Sequence, residues 1–414
     1  MRFLIVGFNY LPESVSIGPY TADLAQYLQQ RGHHVQVVAG FPIAPQWQIW
    51  EGYRDKWFMR QVVNGVQILR TWAYVPSRPK RTISRILFDT SFALSSLLGG
   101  IATGATDLII VISPPLQLGL TGFLLGLVKR APLFFHIQDL VPDAAVATGM
   151  LLENSRAVRL ARAIERFIYR QAIGIGVISD GFMHNLVAKG VPDKKIVVLP
   201  NYIDLQFLKT NERDNGFRRQ HHISPDEFLV MYSGSIALKQ GLQTFVETSA
   251  GFCQEDGITF YLIGEGPYLQ DLKKIAETLK LTNFHFLPLQ PRERLPVQLS
   301  AADALVITQK RAVTDVVFPG KLLYYMAAAR PILAAVSAES ETGRFVRNNE
   351  VGLVVPPENP QALAKAIQHL HQNRGEAVRL GMNGRRIVEE RFDRKVILRL
   401  FANHLEYLAK GVSL

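Results

Sequence analysis

Apolar runs of strand length alternate with longer amphipathic stretches along nearly the whole chain. That alternation is the signature of a parallel sheet with crossover helices. In the first half, residues 3–7, 34–39, 67–72, 108–112, 133–137, 173–178 and 196–199 read as strands. Helical periodicity falls between them, near 20–31, 82–101, 116–129, 158–170 and 183–189. The periodicity lapses after Asn201-Tyr-Ile-Asp204, in the polar stretch KTNERDNGFRRQHHISPDE. It restarts with strands near 228–232, 259–263, 285–286, 304–307, 332–335 and 353–355. Helices are expected near 241–252, 268–279, 321–329, 360–372 and 375–390.

The expected fold is therefore α/β, with two doubly wound, Rossmann-like domains in series and the cleft between them as the natural ligand site. The boundaries read as 1–204 for the first domain, 205–226 for a linker and 227–393 for the second domain. Residues 394–414 form a last helix, expected to pack back on the first domain.

Composition narrows the class. The 414 residues are 48% hydrophobic and 20% charged, as in ordinary folded proteins. A formal net charge of +11 favours acidic partners, whether nucleotides, nucleic acid or anionic membrane. The single cysteine, Cys253, excludes an internal disulfide. The pairs His33-His34 and His221-His222 lack Cys or acidic partners at metal-ligand spacing, and no Asp-x-Asp occurs, so no metal is expected. The opening Met-Arg-Phe-Leu-Ile-Val-Gly reads as a first strand rather than a signal peptide, which points to the cytoplasm. The uncharged stretches 90–106 and 116–128 fall short of the roughly 20 apolar residues of a membrane span.

Three segments suit a bound anion. Ser233-Gly234-Ser235 follows a strand and precedes Lys239. Gly264-Glu265-Gly266-Pro267 does the same after the next strand, and Pro319-Gly320-Lys321 opens an apolar helix. Small residues admit a close backbone approach, helix starts present unpaired N–H groups, and lysine adds a full charge. Any one of them also serves as a plain strand-to-helix turn, but together they favour a nucleotide diphosphate. On the other side of the cleft, His136 and Asp139 stand at the end of a predicted strand, where polar groups meet ligand.

The order of these segments resembles the family 4 (group 1) retaining glycosyltransferases of the GT-B fold. It runs Ser233-Gly234…Lys239-Gln-Gly241-Leu, Gly264-Glu-Gly266-Pro267, Phe286-Leu-Pro288-Leu289, Ala301-Ala-Asp303-Ala, Phe318-Pro-Gly-Lys321 to Pro331, and Val351-Gly-Leu-Val-Val-Pro356. The stretch His136–Ala145, HIQDLVPDAA, is similar to the colanic acid biosynthesis fucosyltransferase branch. The resemblance covers nearly the whole chain. It implies metal-independent transfer from a nucleotide-sugar donor, GDP-fucose ahead of a UDP-sugar, to a saccharide or polyprenyl-linked acceptor. It also implies that His136 touches the sugar near its reacting carbon and that Asp139 orients that histidine or an acceptor hydroxyl. The donor would lie on Gly18, Gly234, Ser235, Lys239, Gly264, Glu265, Leu287, Pro319, Gly320, Lys321 and Leu322, with Glu341 near the ribose. Two departures stand out. Many members carry an arginine where this chain has Ser235, and a Glu-x7-Glu pair where it has Val316 and Tyr324. Lys321 is the expected replacement for the arginine.

Two basic features concern the surface. Residues 54–85 carry Arg54, Lys56, Arg60, Arg70, Arg78, Lys80, Arg81 and Arg85, and Arg156, Arg159, Arg162, Arg166 and Arg170 share one helical face. Peripheral contact with an anionic membrane at the inner face of the plasma membrane is expected, and nucleic acid is not. A GT-B-shaped nucleotide-sugar epimerase and a non-catalytic nucleotide-sugar-binding subunit are the alternative functions.

Overall fold

A computed structural model describes residues 1–13, 17–77, 82–147, 152–311 and 320–411. Pro319 and Val316, and Arg78, Lys80 and Arg81 of the basic run, lie outside the described residues. The chain divides into two compact units, Met1–Asn201 with Ile397–Leu414, and Tyr202–Val396.

In the first unit the elements are β1 Arg2–Val6, α1 Gly18–Gln30, β2 His34–Gly40, β3 Phe58–Val63, β4 Val66–Thr71 and α2 Thr82–Ile101. There follow β5 Leu108–Ser113, α3 Leu118–Lys129, β6 Leu133–Ile137, α4 Val141–Ala147, α5 Arg156–Gln171, β7 Gly174–Val177, α6 Asp180–Ala188 and β8 Ile196–Val198. The sheet runs β3-β4-β2-β1-β5-β6-β7-β8. Only β3 is antiparallel, turning into β4 at Asn64-Gly65, both with positive φ. The strand order reverses between β1 and β5. All six residues of β5 are buried, as a strand covered on both faces requires.

In the second unit the elements are α7 Gly216–Gln220, β9 Phe228–Ser233, α8 Gln243–Ser249, β10 Ile258–Ile263, α9 Leu269–Thr278, β11 Phe284–Leu287 and α10 Leu295–Ala301. Next come β12 Ala304–Thr308, α11 Gly320–Ala327, β13 Ile332–Ala335, α12 Glu341–Asn348, β14 Gly352–Val355, α13 Pro360–Gln372, α14 Arg374–Arg391 and α15 Arg394–Ala409. The all-parallel sheet runs β11-β10-β9-β12-β13-β14 and reverses between β9 and β12. From Ile397 onward α15 belongs to the first unit. There Phe401 packs on Phe134, and Glu406 accepts from Arg31 at 2.9 Å and meets His33 at 2.7 Å.

The polar stretch read as a linker, 205–226, is instead part of the second unit. Leu208, Phe217 and Ile223 enter its core. Arg213 Nε meets Asp303 Oδ1 at 2.5 Å, and Arg218 Nη2 meets Oδ2 at 3.1 Å. Asp303 Oδ2 also accepts from the Leu229 N–H at 2.7 Å. Asp303, just before β12, thus pins the approach to β9 at the amino edge of the sheet, and Arg218 is only 2% exposed. Removing the acid strands a buried guanidinium. Asp303→Ala is expected to lower the unfolding free energy of the second unit by about 3–5 kcal/mol. A urea titration followed by circular dichroism reads the change, and a loss below about 1 kcal/mol would class the cluster with exposed pairs.

Candidate active site

In an open parallel sheet, ligands bind outside the carboxyl ends of the strands where the strand order reverses. In the second unit that point lies between β9 and β12. The loops leaving β9 and β10 are locked together beside it: Gly234 N donates to Ile263 O at 2.9 Å and Ile236 N to Glu265 O at 2.8 Å, while Gly264 N ties the β10 loop to the end of β11 at Leu287 O, 3.1 Å. A Cβ on Gly264 would fall inside contact distance of Gly234 O, and one on Gly266 would strike Ile236 O. These glycines are required because backbone lies directly on backbone.

Lys321, in the first turn of α11, reaches across this floor. Its Nζ donates to the Tyr232 hydroxyl at 2.5 Å and sits 4.0 Å from the centre of that ring. Tyr232 in turn donates to Ser235 O at 2.6 Å. Behind it, the Tyr325 hydroxyl donates to Ser233 O and accepts from Ser233 N, each at 3.0 Å, and Gln298 Nε2 donates to Ser233 Oγ at 2.8 Å. Burial pushes both phenol pKa values up, so Tyr232 and Tyr325 stay neutral. A Cβ on Gly234 would stand 3.3 Å from Lys321 Nζ, so the glycine keeps the ammonium accessible from the loop.

The lysine is electrostatically unsatisfied. Burial first, and the charge of Lys239 second, lower its pKa from 10.5 to about 7. Among the described residues no carboxylate lies within ion-pair distance of it. Lys239 is exposed in the turn after β9. Two such ammonium groups suit an anion of more than one charge.

The other predicted residues are distributed as follows. Ser235 and Glu265 are exposed on the two loops, Gly320 is exposed at the start of α11, and Leu287 ends β11. Leu322 is fully buried in the core, so only its backbone can face a ligand. Glu341 opens α12, whose N-cap Ser340 accepts from Gly343 N at 3.0 Å. Tyr232, Tyr325 and Gln298 were not singled out from the sequence, because a tyrosine ending an apolar strand has no motif of its own.

In the first unit, Gly18 begins α1, and a Cβ there would meet Glu13 O at 3.0 Å. Among the described residues no side chain caps α1 and no acid lies in its first turn, while Thr21 N donates to Ile17 O at 3.0 Å. His136 departs from the expectation of direct sugar contact. It is 2% exposed, with Phe401 of α15 at 4.9 Å and Gly176 of β7 closing over its ring. Burial holds its pKa down at about 4, so the ring is neutral. Its Nε2 accepts from Gln138 Nε2 at 2.9 Å. His136 therefore orients Gln138, and Asp139 is exposed just past the end of β6.

The glycosyl transferase 4-like domain matches residues 16–202, and the glycosyl transferases group 1 domain matches residues 214–387. WcaI of Escherichia coli (strain K12), described as a colanic acid biosynthesis glycosyl transferase, is 30% identical over 98% of this chain and 100% of its own length. Among solved structures, sucrose-phosphate synthase from Thermosynechococcus elongatus superposes with a TM-score of 0.75 at 20% identity, covering 99% of this chain and 100% of that one. Anabaena HepE, solved with UDP-glucose, gives 0.70 at 17% identity over 98% and 99% of the two chains. The fold is that of the GT-B glycosyltransferases. The chain belongs to the group 1 glycosyltransferase family and is a glycosyltransferase.

The titration of Lys321 sets a pH dependence. A bound diphosphate favours the ammonium, so above pH 7 binding must draw in a proton. Affinity for a nucleoside diphosphate is expected to fall by up to about tenfold per pH unit above 7. Calorimetry at pH 8 in two buffers of different ionisation enthalpy should detect the uptake, and Lys321→Met should abolish it. Affinity that stays level from pH 7 to 9 would contradict the assignment.

Proposed function

We propose that this glycosyltransferase is a retaining, metal-independent enzyme of surface polysaccharide biosynthesis. It transfers a sugar from a nucleoside-diphosphate sugar, GDP-fucose ahead of a UDP-sugar, to a saccharide or polyprenyl-linked acceptor. The observation that carries this reading is the Lys321–Tyr232 pair at the reversal point of the second sheet. The full-length similarity to a protein of colanic acid biosynthesis supports the pathway class. Departure of the diphosphate builds negative charge on its oxygens as the anomeric carbon becomes cationic. Lys239 and Lys321 stabilise that charge from a fixed position, where preorganised cations are most effective. The leaving phosphate takes the acceptor's hydroxyl proton. Gly234, Ser235, Gly264, Glu265, Leu287, Pro319, Gly320 and Leu322 shape the donor site, and Glu341 binds the ribose. In the first unit, Gly18 admits phosphate to the start of α1, Asp139 holds the acceptor hydroxyl, and His136 positions Gln138.

The same reading puts the protein on the cytoplasmic side, peripheral to the plasma membrane. No helix among the described residues is long and apolar enough to cross a membrane. The adjacent helices α2 and α3 expose Leu94 and Leu98, each 61%, together with Leu127 and Val128. Lys129 and Arg130 lie beside them, and Arg156, Arg159, Arg166 and Arg170 are exposed on α5. An apolar patch flanked by cations suits anionic lipid.

A thermal-shift panel of GDP, UDP and their sugars tests the donor. GDP and GDP-fucose should stabilise most, with Kd raised about 10–100-fold by Lys239→Ala or Lys321→Ala. Stabilisation by no nucleotide would sink the reading. Sedimentation with phosphatidylglycerol vesicles tests the membrane. The wild type should pellet and the double variant Leu94→Asp, Leu98→Asp should stay in solution; equal partition of the two would exclude this patch.

A further inference from the structure

All four tryptophans of the 414-residue chain, Trp47, Trp50, Trp57 and Trp72, fall within one short stretch of the first unit. Trp47, Trp57 and Trp72 line a single open cavity of about 920 Å³, together with Arg54, Asp55 and Lys56. The cavity lies beyond the carboxyl ends of the parallel strands β2 and β4, the edge at which such sheets bind ligands. Trp57 is 66% exposed and stacks at a tilt on Trp72, with ring centres 4.9 Å apart. An indole left so far in water is a poor core residue and a good surface for another flat apolar face. Trp47 is braced by Arg85, whose guanidinium carbon sits 4.8 Å from the ring centre. Trp47 and Asp55 both have left-handed backbone, with φ of 56° and 59°. For a residue as bulky as tryptophan that conformation is costly and is kept where the surroundings dictate it, as at binding sites.

The cations add a sign. Arg54 Nε donates to Ile49 O at 3.2 Å and Lys56 Nζ to Gly52 O at 2.7 Å, which anchors both side chains. Among the described residues neither forms an ion pair. Asp55 between them disfavours a polyanion but leaves an excess of one positive charge at the mouth. Pyranose rings present an apolar C–H face that stacks on indole, and a carboxylate or phosphate on the same ligand pairs with the guanidinium.

We infer that this cavity is a binding subsite for an anionic saccharide, a pyranose bearing a uronate carboxylate or a pyrophosphate link, held by Trp57 and Trp72 with Arg54 and Lys56. The inference rests on the glycosyltransferase reading for its biological sense, since such a ligand is an acceptor, but its test does not depend on turnover.

Because every tryptophan of the chain is here, tryptophan emission, excited at wavelengths where the 13 tyrosines do not absorb, reports on this region alone. Three probes are titrated: a glucuronic-acid-terminated disaccharide, glucose joined by pyrophosphate to a short isoprenyl chain, and maltose. At least one anionic probe should change the emission saturably, and maltose should bind about tenfold or more weakly. A response to the disaccharide alone names a uronate, and a response to the pyrophosphate alone names a lipid-linked sugar. Trp57→Ala should weaken binding by about tenfold or more while leaving the melting temperature unchanged. Arg54→Gln with Lys56→Gln should remove the preference over maltose. No emission change with either anionic probe at millimolar concentration, or equal binding of maltose, overturns the subsite. Failure of the donor reading shows separately, as the absence of any nucleotide-induced thermal shift in the wild type.

Discussion

A lysine ammonium withdrawn from water, with no carboxylate among the described residues to neutralise it, is the constraint on which the second unit's site depends. Lys321 donates to the hydroxyl of Tyr232, a neutral phenol that passes the polarisation on to Ser235 O. A neutral partner satisfies one hydrogen bond but not the charge, so the lysine's pKa drops to about 7. The empty-handed state is therefore the unfavourable one. On the proposed function, an arriving diphosphate relieves it, and the relief grows as negative charge accumulates on the leaving group.

Everything around that lysine keeps it in place. The floor is two loops pressed backbone to backbone at Gly264 and Gly266, where any side chain would collide with the facing carbonyl. The wall is Tyr325, whose hydroxyl clasps both polar groups of Ser233 and fixes the last residue of β9. The far end of the sheet is held by Asp303 with Arg213 and Arg218. The charges thus differ along the strands: Asp303 is ion-paired at the amino edge, and at the carboxyl edge Lys321 has no ion pair among the described residues.

Much of this was legible in the chain. Strands buried on both faces show as unbroken apolar runs, and β5 and β10 were plain for that reason. The glycines of the loops after β9 and β10 were legible because close backbone approach admits few residue types. Other features were hidden by context. Strand β3 buries neither face, alternating exposed and half-buried positions at the sheet's edge, and it was not read from the sequence. The helices α10 and α12 are too short for periodicity to register. His136 looked like a group at a strand's open end, because nothing nearby in sequence announces that α15 returns to lay Phe401 against it. The stretch 205–226 looked like a linker because its charges are paired by Asp303, far along the chain.

The central claim is that Lys321 is half-neutral when the site is empty and fully charged when it holds a diphosphate. Carbon-13 NMR titration of the lysine Cε resonances, with Lys321 assigned by its loss in Lys321→Arg, measures this directly. The account predicts a midpoint near pH 7 in the free protein, moving up by about two units or more when GDP is bound. A midpoint near the ordinary lysine value in the free protein, unmoved by GDP, would contradict it.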